Sequence, residues 1–247
     1  MSFQDHFSTQ ARGYAKARPV YPSELFAHLV RLAPAHRCAW DAGTGNGQAA
    51  VALSAHFERV VATEPSRAQL AQAVAHPRVE YHLSAETAPM LESASVDLVT
   101  VAQAVHWFDR ASFYAETKRV LRPGGVLAIW SYELCLITPA IDEVLQRFYR
   151  GAIWPCWPPE RRHVEAGYRD FDFPFEEIPF PASTMEHAWT LAELAAYLRT
   201  WSSVVRYTRE SGEDPVTALE MELVPLWGVG RRRIVWPLAG RVGRHTG

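Results

Sequence analysis

Residues 38–48 of the 247-residue chain read CAWDAGTGNGQ, a short apolar run ending in Asp41, followed by glycines at alternate positions, Gly43, Gly45 and Gly47. Glycine adopts left-handed backbone freely and lets a ligand approach where any Cβ would intrude. The small-residue segment Gln48 to Ala55 behind the turn reads as a helix whose N-terminus faces that ligand. About one βαβ half-unit later a second apolar run, RVVATE, ends in Glu64. A carboxylate is acceptor-only with two oxygens, which suits the two hydroxyls of a ribose. Together these features read as a nucleoside-cofactor site. The bland alternative is a glycine-rich turn joining a strand to a helix, and the acidic strand end at this distance argues against it.

The spacing narrows the cofactor. A dinucleotide fingerprint reads G-x-G-x-x-G, its third glycine packing helix on strand beneath a pyrophosphate. Here the position after Asn46-Gly47 is Gln48. That disfavours an NAD-dependent oxidoreductase, which stays open as a rival.

Strand-like runs recur at Cys38–Ala42, Arg59–Glu64, Val79–Leu83, Val96–Ala102 and Val126–Trp130. Helical patterns lie between them. Ser23 to Ala33 sets Leu25, Leu29 and Leu32 on one face, and Ser66-x-x-Gln69 is a capping box for a helix that His76-Pro77 closes. Asp109 caps a further helix, which Arg122-Pro123-Gly124-Gly125 ends with a turn. Only Ser84 to Ser95 lacks a helical pattern, so that crossover is expected to be short or irregular. Alternating strands and helices predict an α/β fold with a mostly parallel sheet covered on both faces, and ligand outside the carboxyl ends of the strands.

After Trp130 the character changes. Thr138-Pro139 opens a helix with Ile141, Val144, Leu145 and Phe148 as its apolar stripe. The stretch WPCWPPERRHVEAGYRDFDFPF, rich in proline and aromatics, reads as an irregular connector. Thr190-x-x-Glu193 is another capping box, and a last helix begins at Asp214-Pro215 and is interrupted at Pro225. Phe175–Met185 and Arg233–Leu238 read as two antiparallel edge strands.

A formal charge of -2 gives no electrostatic reason to expect nucleic acid or an anionic membrane as partner. No run reaches the roughly 18 apolar residues of a membrane span, and the N-terminal residues carry no apolar signal-peptide core. Three cysteines, Cys38, Cys135 and Cys156, make neither a disulfide frame nor a C-x-x-C site, so a reducing, cytoplasmic compartment is expected. The ten histidines show no pair at helical metal-ligand spacing, so no metal is expected.

D-x-G-x-G-x-G resembles motif I of the class I S-adenosylmethionine (SAM)-dependent methyltransferases. The lead-in F-x3-A-x2-Y-x3-R-P-x-Y-P, carried by Phe7, Ala11, Tyr14, Arg18, Pro19, Tyr21 and Pro22, is more specific. It is similar to the methyltransferase type 11 group and, within it, to the trans-aconitate methyltransferase-like small-molecule set. The resemblance covers residues 7–130. It implies a Rossmann-like, mostly parallel seven-stranded sheet with an antiparallel last strand and a lid insertion after strand five. The SAM-binding core with its cofactor-covering arm would be residues 1–132, the lid 133–172, and the completing strands and helices 173–247, all one domain.

The same resemblance implies that Tyr14 and Arg18 reach the methionine carboxylate, for which a guanidinium fork and a phenol are suited donors. It places Asp41, Gly43, Gly45, Gly47 and Glu64 at the cofactor, Ala85 and Glu86 at the adenine, and Gln103 and Ala104 beneath sulfonium and ribose. S-adenosylhomocysteine would be the product. His106, in the string QAVHWFD, sits where the reacting methyl should point, as a base or as pocket lining. Trp107, Trp130 and Tyr132, with Trp154 and Trp157, could form an aromatic wall around the acceptor, although core packing suits any single one of them.

The function implied is methyl transfer to a small-molecule acceptor, carboxylic acids included, with a non-catalytic SAM-binding protein as the alternative. The absence of an aromatic-proline tetrapeptide after strand four weighs against nucleic-acid methylation. The sequence carries no signal for the acceptor atom or for the oligomeric state.

Overall fold

The computed structural model describes residues 19–247. The motif residues Phe7, Ala11, Tyr14 and Arg18 lie outside them.

Five parallel strands form the centre: β1 (Cys38–Ala42), β2 (Arg59–Glu64), β3 (Val79–Leu83), β4 (Val96–Ala102) and β5 (Leu121–Tyr132). Around them lie β6 (Glu176–Ile178), β7 (Thr184–Trp189) and β8 (Arg232–Arg244). The strand order is β3-β2-β1-β4-β5-β8-β6. These seven make the expected sheet, with β8 antiparallel, and β7 is an eighth strand paired with the first half of β8. The chain leaves β1 toward β2 and β3, then returns to place β4 on the other side of β1. That reversal opens a crevice at the carboxyl ends of β1 and β4.

The strands read as continuous apolar runs because both faces are covered. On one face Ala39, Leu98, Val126, Ala128 and Trp130 pack beneath helices α1 (Ser23–Leu32), α2 (Gln48–Leu53) and α5 (Pro139–Arg150). Helices α7 (Leu191–Leu198), α8 (Ser202–Ser211) and α9 (Pro215–Trp227) extend that layer. The alternate residues Trp40, Val99, Val101, Leu127 and Ile129 face the opposite cluster, with α4 (Arg110–Val120), Val164, Tyr168 and Phe171.

Several local expectations are revised. The helix capped by Ser66 is one turn, α3 (Arg67–Leu70). The residues after it are drawn elsewhere, Val74 donating to the Asn46 carbonyl and accepting from the Tyr81 hydroxyl. LRPGG is not a turn ahead of β5 but a bulge within it. Val96 pairs with Leu121 and Leu98 with Val126, so Arg122 to Gly125 loop out opposite Asp97. The stretch expected to be irregular contains a 3-10 turn (Trp154–Cys156) and helix α6 (Arg161–Glu165). Pro225 does not interrupt α9, since in the last turn its missing N–H removes a single hydrogen bond. Phe175–Met185 divides between β6 and β7, and β8 is an interior strand, because β6 closes its far side.

Asp97 holds the bulge and the start of β1 together. Fully buried, it accepts from the backbone N–H groups of Arg37 (2.9 Å) and Cys38 (3.1 Å), and the Arg122 Nε lies 3.3 Å from its other oxygen. Asp97→Ala removes the acceptor of a buried N–H at Cys38 and of a part-buried one at Arg37, together with the ion-pair partner of Arg122, and urea unfolding should show a loss of about 2–3 kcal/mol.

Candidate functional site

Gly43, Gly45 and Gly47 all have positive φ, at 67°, 58° and 88°. A Cβ on Gly43 would sit 2.5 Å from the Ala104 Cβ, and one on Gly47 would collide with the Tyr81 ring. A Cβ on Gly45 would meet open space. The loop is thus pressed against the turn after β4 and against β3 by its first and last glycines, while the middle one borders an open cavity.

Glu64, at the end of β2, lines that cavity. Its carboxylate accepts from the Gly45 N–H (2.9 Å) and the Ser66 N–H (3.0 Å), which fixes its plane at the cavity wall. Tyr21, Thr44, Asn46, Gln69 and Phe108 complete much of the lining. Of the expected cofactor residues in the described chain, Gly43, Gly45, Glu64, Gln103 and Ala104 come together here.

Three expected residues stand elsewhere, and Gly47 packs on Tyr81 just behind the lining. Asp41 is buried under the loop and accepts from Thr44 Oγ1 (2.5 Å) and Thr100 Oγ1 (2.7 Å). Ala85 and Glu86 are not among the residues lining this cavity; the Ala85 carbonyl accepts from Thr63 Oγ1 at 3.3 Å.

A second open cavity adjoins the first, and Gln103 and Trp107 line both. Gln103 has φ 58°, a left-handed conformation rare outside glycine, of the kind that marks functional sites. Its N–H donates to the Trp130 carbonyl (2.9 Å) and its side-chain amide to the Tyr132 carbonyl (2.8 Å), so β5 holds the partition rigidly.

His106 and Tyr132 line the second cavity as expected for an acceptor site, but Trp130 does not. Trp130 has no exposed surface, because strand alternation turns it into the core, edge-on to Tyr21 (5.5 Å) and Phe26 (6.2 Å). Trp154 is exposed beneath the Arg150 guanidinium, 4.2 Å from its ring. Trp157 does face the cavity. Lining residues not singled out in the sequence are Glu133, Pro158 and Arg161, which fall in the expected lid segment, and Tyr197, Thr200, Trp201 and Ser202, which fall outside it. The segment 197–202 joins α7 to α8 and reaches the site only through tertiary packing; the aromatic ladder Trp157, Trp201, Tyr197 (5.6 and 5.9 Å) anchors it.

Burial pushes the His106 imidazole down to about 3, and the charges of Arg161 and His163 push in the same direction. Its Nδ1 lies 3.0 Å from the hydroxyl of Tyr168, a buried residue whose phenol burial raises. His106 is therefore neutral across the physiological range and a weak base. Among the described residues no group of three or more His, Cys, Asp or Glu could hold a metal ion, and no helix is long and apolar enough to cross a membrane.

Residues 40–129 match the family described as Methyltransferase domain. A Dictyostelium discoideum protein named as a methyltransferase is 34% identical over 226 residues, 90% of this chain and 86% of that one. The chain belongs to the class I SAM-dependent methyltransferases. A solved structure titled as a type II methyltransferase from Anaeromyxobacter dehalogenans is 44% identical to this methyltransferase, with a TM-score of 0.87 over 92% of this chain and 98% of that one. A structure titled as a methyltransferase from Anabaena variabilis, 18% identical with a TM-score of 0.54 over 90% of this chain and 98% of that one, shares the fold alone.

Two titrations follow from the geometry of this methyltransferase. Burial pushes the Asp41 carboxyl up to about 6, against the lowering effect of its hydrogen bonds to Thr44, Thr100 and the Ala50 N–H. Folding then takes up a proton between pH 4 and 6, so the stability this residue contributes is full near pH 4 and falls as pH rises toward 6. Between pH 4 and pH 7, wild type should lose on the order of 2–3 kcal/mol relative to Asp41→Asn in urea unfolding. For His106 the sign is opposite, since its folded value lies below the unfolded one. NMR of ¹⁵N-histidine-labelled protein, assigned by a His106→Gln variant, should show a neutral imidazole from pH 8 down to about pH 4.

Proposed function

We propose that this methyltransferase binds SAM in the first cavity and methylates a small-molecule acceptor held in the second. The observation that carries the reading is the pair of cavities meeting at Gln103 and Trp107, one bordered by the glycine loop and Glu64, the other by aromatic side chains. The resemblance to the trans-aconitate methyltransferase-like set supports a carboxylic acid as acceptor, and the odd cysteine count supports a cytoplasmic, reducing setting.

The fit of the cofactor rests on two features. The place where a Gly45 side chain would stand is open, and the Glu64 carboxylate faces the same space with its plane fixed by two backbone donors. Glu64 would take the ribose hydroxyls; Gly43 and Gly45 would admit the methionine part, with Gln103 and Ala104 beneath the sulfonium and Tyr14 and Arg18 at its carboxylate. Ala85 and Glu86, just past β3, would meet the adenine edge by moving toward the cavity on binding. When bound, the cofactor supplies an electrophilic methyl on a leaving group that is already activated.

The protein's own work is then mainly to hold the acceptor in line and to exclude water. Trp107 and Tyr132 wall the join, and neutral His106 offers its imidazole to the acceptor as an orienting hydrogen-bond partner. A carboxylate nucleophile needs no base, which agrees with an imidazole of such low basicity.

Calorimetric titration with SAM and with S-adenosylhomocysteine tests the reading. Both should bind wild type, and Glu64→Ala should weaken each by about 10- to 100-fold, the worth of hydrogen bonds to a charged acceptor. Wild-type affinity that is unchanged in Glu64→Ala would remove Glu64 from the cofactor site.

A further inference from the structure

Arg161 is the one basic side chain among the residues lining the second cavity. Its Nε donates to the Tyr149 hydroxyl at 2.8 Å, and its guanidinium lies over the Trp157 ring at 4.7 Å and the Tyr149 ring at 5.6 Å. The Tyr149 hydroxyl in turn donates to Glu165 (2.7 Å), so the stem of Arg161 is fixed from two sides. The two terminal nitrogens have no hydrogen bond or ion pair among the described residues. A guanidinium clamped at Nε, stacked on an aromatic face and bare at its fork is preorganised for a planar anion. A purely structural arginine would spend the fork on carbonyls, as Arg241 does on the Phe171 carbonyl.

The other charge on the cavity wall limits which anion fits. Glu133 lines the same space, and its carboxyl is raised chiefly by burial, with the Arg161 charge opposing. A guest anion has one guanidinium to pair with here, and a second negative charge on it would find no cation and would lie in the same space as the Glu133 carboxyl. The remaining wall mixes the aromatic faces of Trp107, Trp157, Tyr197 and Trp201 with the polar groups of Gln103, His106, Thr200 and Ser202.

We infer that Arg161 is the anion anchor of the acceptor site, and that the acceptor is a monoanionic carboxylate. This inference rests on the second cavity being the acceptor site. It adds the residue that selects for charge, and it favours carboxylates over phosphate esters.

The test is calorimetry on the full chain saturated with S-adenosylhomocysteine, using phenylacetate, cinnamate and hexanoate, each paired with its neutral amide, and phenyl phosphate as the dianion. At least one carboxylate should bind ten-fold or more tightly than its amide and than phenyl phosphate. Arg161→Gln should abolish that preference while leaving S-adenosylhomocysteine affinity unchanged, which also reports folding. Arg161→Lys, which keeps the charge but loses the fork and the Tyr149 tether, should retain part of it, and carries the comparison if the glutamine variant does not fold. Equal binding of acid and amide, tighter binding of phenyl phosphate, no binding of any carboxylate, or full carboxylate affinity in the variants would overturn the assignment. A wild-type chain that binds no S-adenosylhomocysteine would instead defeat the cofactor reading first.

Discussion

The site depends on what a buried carboxylate does at the centre of the sheet. Asp41 is opposite Thr100 in the β1–β4 register and bonds to its hydroxyl, while its second oxygen takes the Thr44 hydroxyl of the glycine loop. One side chain therefore joins the strand on which the chain sets out, the strand to which it returns, and the loop between strand and helix. Burying it raises its proton affinity, a penalty the fold accepts at the point where the strand order reverses. Without that junction the loop would have no fixed distance from Gln103, and the crevice no fixed width.

Glu64 extends the same arrangement outward. It is bound by an N–H from the glycine loop and another from the turn after β2, so two backbone donors orient it. Backbone donors survive changes in neighbouring side chains. The orientation is thus a property of how β1 and β2 end, which is also why an acidic residue at this place can be recognised from the order of residues alone.

That contrast explains how much could be read in advance. The central strands, the glycine loop, Glu64 and the QAVHWF turn are local: each has its chemistry and its geometry in fewer than a dozen consecutive residues. Trp130 misled because a tryptophan at a strand end can face either way, and only the pairing with β8 and the packing of Tyr21 turn it inward. Arg161, Tyr197 and Trp201 were not singled out, because the wall they form exists only once α6 packs near β5 and the α7–α8 corner stacks on Trp157. Asp41 is buried beneath the loop and bonded to Thr44 and Thr100, a placement that the sequence could not give, since it supplies the residue type but not which side of the loop it faces.

Gln103 carries a further consequence. It divides the two cavities, its backbone is held in an uncommon conformation, and both of its hydrogen bonds go to carbonyls of β5. The separation between the two cavities is therefore set by the central sheet, whereas the far wall of the second is built from peripheral helices. Substitutions in those helices can change what is admitted without disturbing alignment at the partition. A scaffold arranged in this way lets selectivity diversify among descendants while the transfer geometry is inherited intact.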